Sequence, residues 1–351
     1  MIRAESRAVS AEAAYRLARD IVRRDRSDAV DLLEPYAYDE TLSIGQRSSI
    51  LSVLAEAYLI ARRPDDAHRT VRAALACADR LDVGASAHVY TRASYIELYA
   101  GDRERAREYA TIGAARAEEA HLSVMAFGSY SVLYNVAYDD AGPSESLLYL
   151  ERLGNCAIRS GNLDFHLYAI VAAYELQVER GDLAAIERLE HDLREFDLHY
   201  GASAALQGLL PSRAVVAAWK GAFASAYEIL ASTAQQQDDL DRAALRWAEI
   251  ALYAAAAGMR AVTVDALRNF TDAYSRDGGS SQHAIRGSIL AHLAASLVGD
   301  ALQPLPMPTA GRLGSLWRAV ESVLAVREGS ASLDSVLAAF EDLRTNELFG
   351  M

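Results

Sequence analysis

Residues Ser48–Leu81, SSILSVLAEAYLIARRPDDAHRTVRAALACADRL, decide the fold. In the first half Leu51, Leu54, Ala55 and Tyr58 fall on one side of a helix, at steps of three, one and three. Arg62-Arg63-Pro64-Asp65-Asp66 interrupts the pattern, and Ala67, Val71, Ala74 and Ala78 then line a second helix. Proline suits the first turn of that helix, where its missing N–H costs nothing, and the two aspartates favour the helix's positive end. The segment is a helical hairpin. Outward from it, the spacer recurs as Gly101-Asp102, Gly142-Pro143, Gly181-Asp182, Lys220-Gly221 and Gly258-Met259, with successive glycines 41, 39, 40 and 37 residues apart. Arg63-Pro64 continues the series upstream. A fixed period in this range marks stacked units, none of which buries its apolar face without its neighbours.

The hairpin resembles the tetratricopeptide repeat. Leu51, Leu54, Ala55, Tyr58, Ala67, Val71 and Ala74 match that pattern in order and spacing. Later units keep less of it. Ala106 takes the small-residue position and Ala110 the bulky one, Ile186 stands where alanine is usual, and Trp247, Ile250 and Ala251 recover the opening of the pattern. A period near forty exceeds the standard thirty-four. Longer, degenerate repeats of this kind are similar to the sensor region of MalT-like bacterial transcription regulators, over roughly 45–275. The resemblance implies an all-α fold, a right-handed α-solenoid of hairpins, and a binding role. The chain departs from those regulators in two ways: it has no GxxxxGK[ST] phosphate loop and no convincing C-terminal helix-turn-helix. It reads as a stand-alone sensor or adaptor.

Flanking the array of 45–278, residues 1–44 form an N-terminal cap, with helices over 11–24 and 26–36 and a turn at Arg23 to Arg26. Residues 279–351 form a C-terminal piece. Gly278-Gly279-Ser280-Ser281 ends one helix and starts the next, which runs to about 298. Pro304, Pro306 and Pro308 place a linker at 303–309, because each ring removes a donor and restricts the residue before it. Two amphipathic helices follow at 312–327 and 332–344, and each needs a surface to lie on.

The net charge of −13 opposes the basic footprint of nucleic-acid binding. Acidity concentrates in 171–200, where eight carboxylates face three arginines. That stretch is either a solvated helical face or a site for a basic partner segment. Cys77 and Cys156 belong to no metal or disulfide framework, which fits a reducing cytoplasm. No signal peptide or membrane span is expected. Lys220 is the sole lysine against many arginines, a bias that points to a GC-rich bacterial genome.

Catalytic signatures are wanting, and the protein is expected not to be an enzyme. The eight histidines (His68, His88, His121, His166, His191, His199, His283 and His292) include no HExxH, so no metal is expected. Asp238-Asp239-Leu240-Asp241-Arg242 has arginine where a magnesium-binding DDxxD needs its last carboxylate, and no serine sits in a GxSxG elbow. No cofactor is expected.

The groove is more promising. In a tetratricopeptide-like hairpin the first helix of each unit lines the concave face. Carried onto this chain, that places Ser52 and Glu56, then Thr91, Tyr95 and Tyr99, then Ser131, Asn135 and Tyr138, then Glu175 and Glu179, and finally Val215 and Trp219 in the groove. Hydroxyls, an amide, carboxylates and aromatic rings together suit a peptide, a protein segment or a small-molecule effector. The other reading is that the tyrosines fill gaps between long helices. In the fifth and sixth units the groove positions turn apolar (Val215, Ala218, Trp219, Ala248, Leu252 and Ala255), so a cover is expected. The C-terminal helices folding back, or a second copy in a homodimer, would supply it. The expected function is a non-catalytic sensor or adaptor in transcription regulation or signalling. The alternatives are a constitutive protein–protein scaffold or homodimeric assembly factor and, from another class, an all-helical enzyme.

Overall fold

A computed structural model describes residues 2–22, 28–140, 142–201, 206–233, 240–277, 282–300, 307–308, 311–327 and 329–345. Among them the hairpin that opens the array is formed by α3 (Ile44–Ile60) and α4 (Pro64–Ala78). Ahead of it stand α1 (Ile2–Val22) and α2 (Ala29–Ala37). After it come α5 (Val83–Ala100), α6 (Arg103–Glu119), α7 (Ser123–Asp140), α8 (Pro143–Ser160), α9 (Leu163–Arg180) and α10 (Leu183–Tyr200). A 3-10 turn (Gln207–Leu209) leads into α11 (Leu210–Trp219) and α12 (Phe223–Ala231). The chain continues as α13 (Leu240–Ala256), α14 (Arg260–Asp277), α15 (Gln282–Val298), α16 (Gly311–Arg327) and α17 (Leu333–Thr345). The described residues are all-α. Packing divides the chain inside α9 into two units, one ending at Ala169 and the other beginning at Ile170.

In the first unit each hairpin packs internally, α3 on α4, α5 on α6 and α7 on α8, and the leading helices of successive hairpins also touch, α1 on α3, α3 on α5 and α5 on α7. This is solenoid-type stacking. The residues behind it are those of the repeat pattern: Leu51, Leu54, Ala55, Tyr58, Ala67, Val71 and Ala74 are all buried. Ala11, Ala18, Val30 and Leu33 join the same apolar cluster, so the N-terminal helices pack directly on the first hairpin. α1 starts well before the expected position 11, while the turn expected at Arg23 to Arg26 lies outside the described residues.

Five of the six array hairpin turns share one geometry, and the turn into α8 departs from it, with Gly142 at φ 94° and ψ −170° as the N-cap. At Gly101, Gly181, Gly221 and Gly258 the backbone is left-handed, and the next N–H donates to a carbonyl five residues back: Asp102 to Glu97, Asp182 to Gln177, Ala222 to Ala217 and Met259 to Ala254. This 6→1 closure ties off the helix's last carbonyls, and glycine permits it because no Cβ meets the preceding turn. The first hairpin closes the same way through a non-glycine residue, Arg62 at φ 59°, with Arg63 donating to Tyr58 at 2.8 Å. Glycine is thus the usual solution rather than an obligatory one.

In the second unit α11 packs on α12, α13 on both α14 and α15, α15 on α16, and α16 on α17. One hairpin departs from the others here, and one expectation fails. The fifth hairpin keeps its turn at Lys220-Gly221, yet its helices have only 10 and 9 residues, against 15–18 in the other array hairpins. Pro211 stands in the first turn of α11, where a proline ring starts a helix well. Four of the six apolar positions are also covered within the unit, while Val215 and Trp219 are half-buried. Ala248 is fully buried, and Ala218, Leu252 and Ala255 pack against the cluster built by Ala214, Ala244, Ala251 and Phe270. The C-terminal helices accordingly do not serve as a lid on those residues. Leu316, Ala319 and Val320 of α16 pack on Ile289 and Leu293 of α15, extending the stack. Of the expected linker only 307–308 are described, and Gly278 to Ser281 lie outside the described residues.

Candidate functional site

The groove positions of the first unit separate into three kinds. Ser52 and Ser131 are buried, and their hydroxyls donate along their own helices to the Ser48 carbonyl at 2.8 Å and the Gly128 carbonyl at 2.9 Å. Asn135, half-buried, likewise donates to the Ser131 carbonyl at 2.9 Å. These side chains satisfy themselves locally. Glu56 and Thr91 instead join neighbouring hairpins. Arg92 of α5 pairs with Glu56 of α3, and the Thr91 hydroxyl lies 2.8 Å from that of Ser129 on α7. The helices approach closely there: a Cβ on Gly113 would stand 2.7 Å from Ser129 Oγ, and one on Gly128 would stand 2.9 Å from the Thr91 methyl.

Tyr95 and Tyr99 form the third kind. One turn apart on α5, they are 43% and 66% exposed, with ring centroids 4.7 Å apart and hydroxyls 3.1 Å apart. Two large rings standing together in solvent form an amphipathic platform, apolar on its faces and polar at the tips. Tyr138 on α7 is half-buried, its ring 6.0 Å from that of buried Tyr134, which fits the gap-filling reading for that residue.

Behind the platform, on the inner side of α5, lies a group that sequence reasoning did not single out. Glu97 is fully buried, and His68 of α4 places its Nδ1 2.6 Å from Glu97 Oε2. The contact is one of distance alone: neither Glu97 oxygen nor His68 Nδ1 makes a well-aligned hydrogen bond among the described residues. Burial pushes this carboxyl upward, His68 draws it down, Asp102 pushes it up and Arg105 draws it down. A signal for it existed: Glu97 follows Ala93 by four positions, on the buried stripe of α5.

The second unit holds the other groove positions. Glu175 and Trp219 are half-buried. Glu179 is buried and lies 3.5 Å from the Arg286 guanidinium of α15. On α13 Arg246 and Glu249, both buried, pair at 3.3 Å, one turn ahead of Tyr253. Burial, with Glu249 nearby, pushes the Tyr253 phenol upward, against the pull of Arg286 and Arg246. Part of the acidic stretch is engaged inside its own unit. Asp182 caps α10 by accepting from the Ala185 N–H at 2.9 Å. Glu190 accepts two bonds from Arg213, at 2.8 and 2.9 Å, and is held below the usual carboxylate range by Arg213 and Tyr174 against the upward push of burial. Glu187, Asp192 and Glu195 are exposed. The described residues contain no group of three or more His, Cys, Asp or Glu side chains placed to hold a metal, and no helix among them is long and apolar enough to cross a membrane.

No family model matches this chain, and no curated protein matches it. Among solved structures it is similar to a "circular tandem repeat protein with novel repeat topology and enhanced subunit contact surfaces", at 14% identity, with 97% of this chain and 84% of that chain covered and a TM-score of 0.17. A likeness at that level carries no argument, and the repeat fold rests on the hairpins described above. The resemblance to the tetratricopeptide repeat stays one of residue pattern.

Proposed function

We propose that this chain is a non-catalytic binding protein, a tetratricopeptide-like sensor or adaptor that takes a peptide or protein segment on the leading helices of its first unit. The observation that carries this reading is the exposed Tyr95–Tyr99 pair on α5, set beside the Glu56–Arg92 ion pair. Rigid aromatic surface on a helix, rimmed by polar groups, is the composition of recognition sites, where tyrosine supplies contact area at low conformational cost. Binding there reports the relative placement of α3 and α5, which the Glu56–Arg92 pair already links. A role in transcription regulation or signalling rests on the pattern resemblance to MalT-like sensor regions. The scaffold reading through a basic partner is weakened, because Asp182, Glu179 and Glu190 have structural work within their own unit.

Panning a displayed random-peptide library against the wild type and against Tyr95→Ser/Tyr99→Ser tests the proposal. Both rings are surface residues, so the double variant should melt within about 0.5 kcal/mol of wild type. Enriched sequences that bind the wild type and lose at least tenfold on the variant are the expected result. No enrichment, or enrichment indifferent to the two rings, overturns it.

A second reading has its own observation. Leu333, Leu337 and Phe340 form an exposed apolar stripe on α17, at the spacing of one helical face. Self-association through it would place a homodimer contact at the C-terminal helices. Light scattering of the wild type against Leu337→Glu decides that point.

A further inference from the structure

The cleft between α15 and α16 gathers charged and polar side chains at one rim of the stack. It has a volume of about 410 Å³ and is lined by His292, Ala295, Ser296, Asp300, Leu324 and Arg327, along with the turn glycine. That volume lies in the range of small-molecule sites. Arg327, at the end of α16, reaches across to α15 and donates from Nη1 to the carbonyl of Ser296 and to its hydroxyl, the latter at 2.9 Å. Both bonds start from one terminal nitrogen. A guanidinium presents five N–H donors in a planar fork, so the edge formed by Nε and Nη2 keeps the geometry that receives a carboxylate through two parallel bonds. Among the described residues no carboxylate pairs with Arg327.

The other groups sort by sign. Ser296 Oγ accepts from Arg327, which leaves its own proton to donate into the cleft. His292 donates from Nδ1 to the Ser288 carbonyl at 2.9 Å, with Nε2 at the ring's opposite side, and its ring stands edge-on to Trp317, centroids 5.8 Å apart. Asp300 lies just past the end of α15, where the helix presents its negative pole, and its N–H closes the terminal turn on Ala295 at 2.9 Å. Ala295 and Leu324 add apolar surface to the lining.

We infer that this cleft is a binding site for a small zwitterion of the amino-acid or dipeptide class with an apolar side chain. Arg327 and Ser296 take the carboxylate, Asp300 takes the ammonium, and the side chain lies against Ala295 and Leu324. The site stands apart from the tyrosine platform in chemistry, and neither proposal depends on the other.

Saturation-transfer NMR on the full chain tests it, with L-leucine and L-leucyl-L-leucine as probes at up to about 10 mM, the weak end of measurable small-molecule affinity. L-leucinamide lacks the carboxylate and 4-methylpentanoate lacks the ammonium. At least one zwitterion should saturate, and each analogue should bind at least tenfold more weakly. Comparing leucine with its dipeptide separates a free amino acid from a peptide as the natural source. Arg327→Gln should abolish binding. Because Arg327 also fastens α16 to α15, Asp300→Asn at the exposed rim is the second variant, and it should weaken the zwitterion while leaving 4-methylpentanoate unchanged. No saturation by either probe, equal binding of the analogues, or retention in both variants overturns the inference.

Discussion

Glu97 in the first unit and Glu179 in the second are both buried carboxylates beside a basic side chain, and these two pairs are built differently. In the first unit Glu97 faces His68, whose charge depends on pH; in the second Glu179 faces Arg286, whose charge does not. A buried charge is tolerated only when paired, and removing one partner costs more than the pair contributes. The chemical difference therefore assigns the two units different responses to loss of a partner and to pH.

The sharpest break in the comparison is at Arg286. Arg286→Met leaves the buried Glu179 without its guanidinium, and the second unit should lose about 3 kcal/mol in urea unfolding. Adding Glu179→Gln should restore most of it, since the stranded charge, rather than the lost attraction, carries the cost. An unchanged midpoint for Arg286→Met would mean that Glu179 is hydrated.

The corresponding variant in the first unit, His68→Leu, should cost less, about 1–2 kcal/mol at neutral pH, because Glu97 has a second recourse. Burial already raises its proton affinity above the ordinary value of 4.5, and losing His68 raises it further, so the carboxyl goes neutral. The sign with pH follows. A carboxyl that binds its proton more tightly when folded stabilises the fold fully below about 4.5 and loses that contribution as pH rises through the folded value. Glu97→Gln should flatten this fall, so the stability difference between variant and wild type should grow in the variant's favour from pH 4.5 upward. A difference independent of pH over that range would show that Glu97 has an ordinary proton affinity when folded.

How much of this was legible in the sequence follows from the same residues. The period, the hairpin of Ser48–Leu81 and the two C-terminal helices were readable because glycine turns and three–four spacing are local signals. Partners were not. Glu97 and His68 sit 29 residues apart and Glu179 and Arg286 sit 107 apart, and only stacking brings them together. The groove assignment was readable only in part for a related reason. Repeat register predicts which helix leads each hairpin, whereas a shift of one position separates the exposed Tyr95 from the buried Ser94 and Ile96. In the apolar run, Ala218, Ala248, Leu252 and Ala255 misled because they pack into a cluster that residues of α14 and α15 complete.

The turns supply the finest comparison. Asp182 caps α10 from φ −82° and ψ 81°, and Ala222 begins α12 from φ −87° and ψ 58° with no side-chain cap. Both follow a left-handed glycine, and both backbones are placed so that a short acceptor reaches the N–H three residues on. Asp182→Ala should cost about 1 kcal/mol, the usual value of an N-cap. Ala222→Asp should return somewhat less, about 0.5 kcal/mol, because a nine-residue helix has little cooperative length to stabilise. Residue 222 is exposed, so the new carboxylate carries no burial cost. Hydrogen exchange resolves the effect where a melting curve does not: slowed exchange at the Ser225 N–H and along α12 is the expected signature. Unaltered protection there would mean that the fifth hairpin is held by its packing through Ala226 and Leu230, both fully buried, rather than limited by its unmade cap.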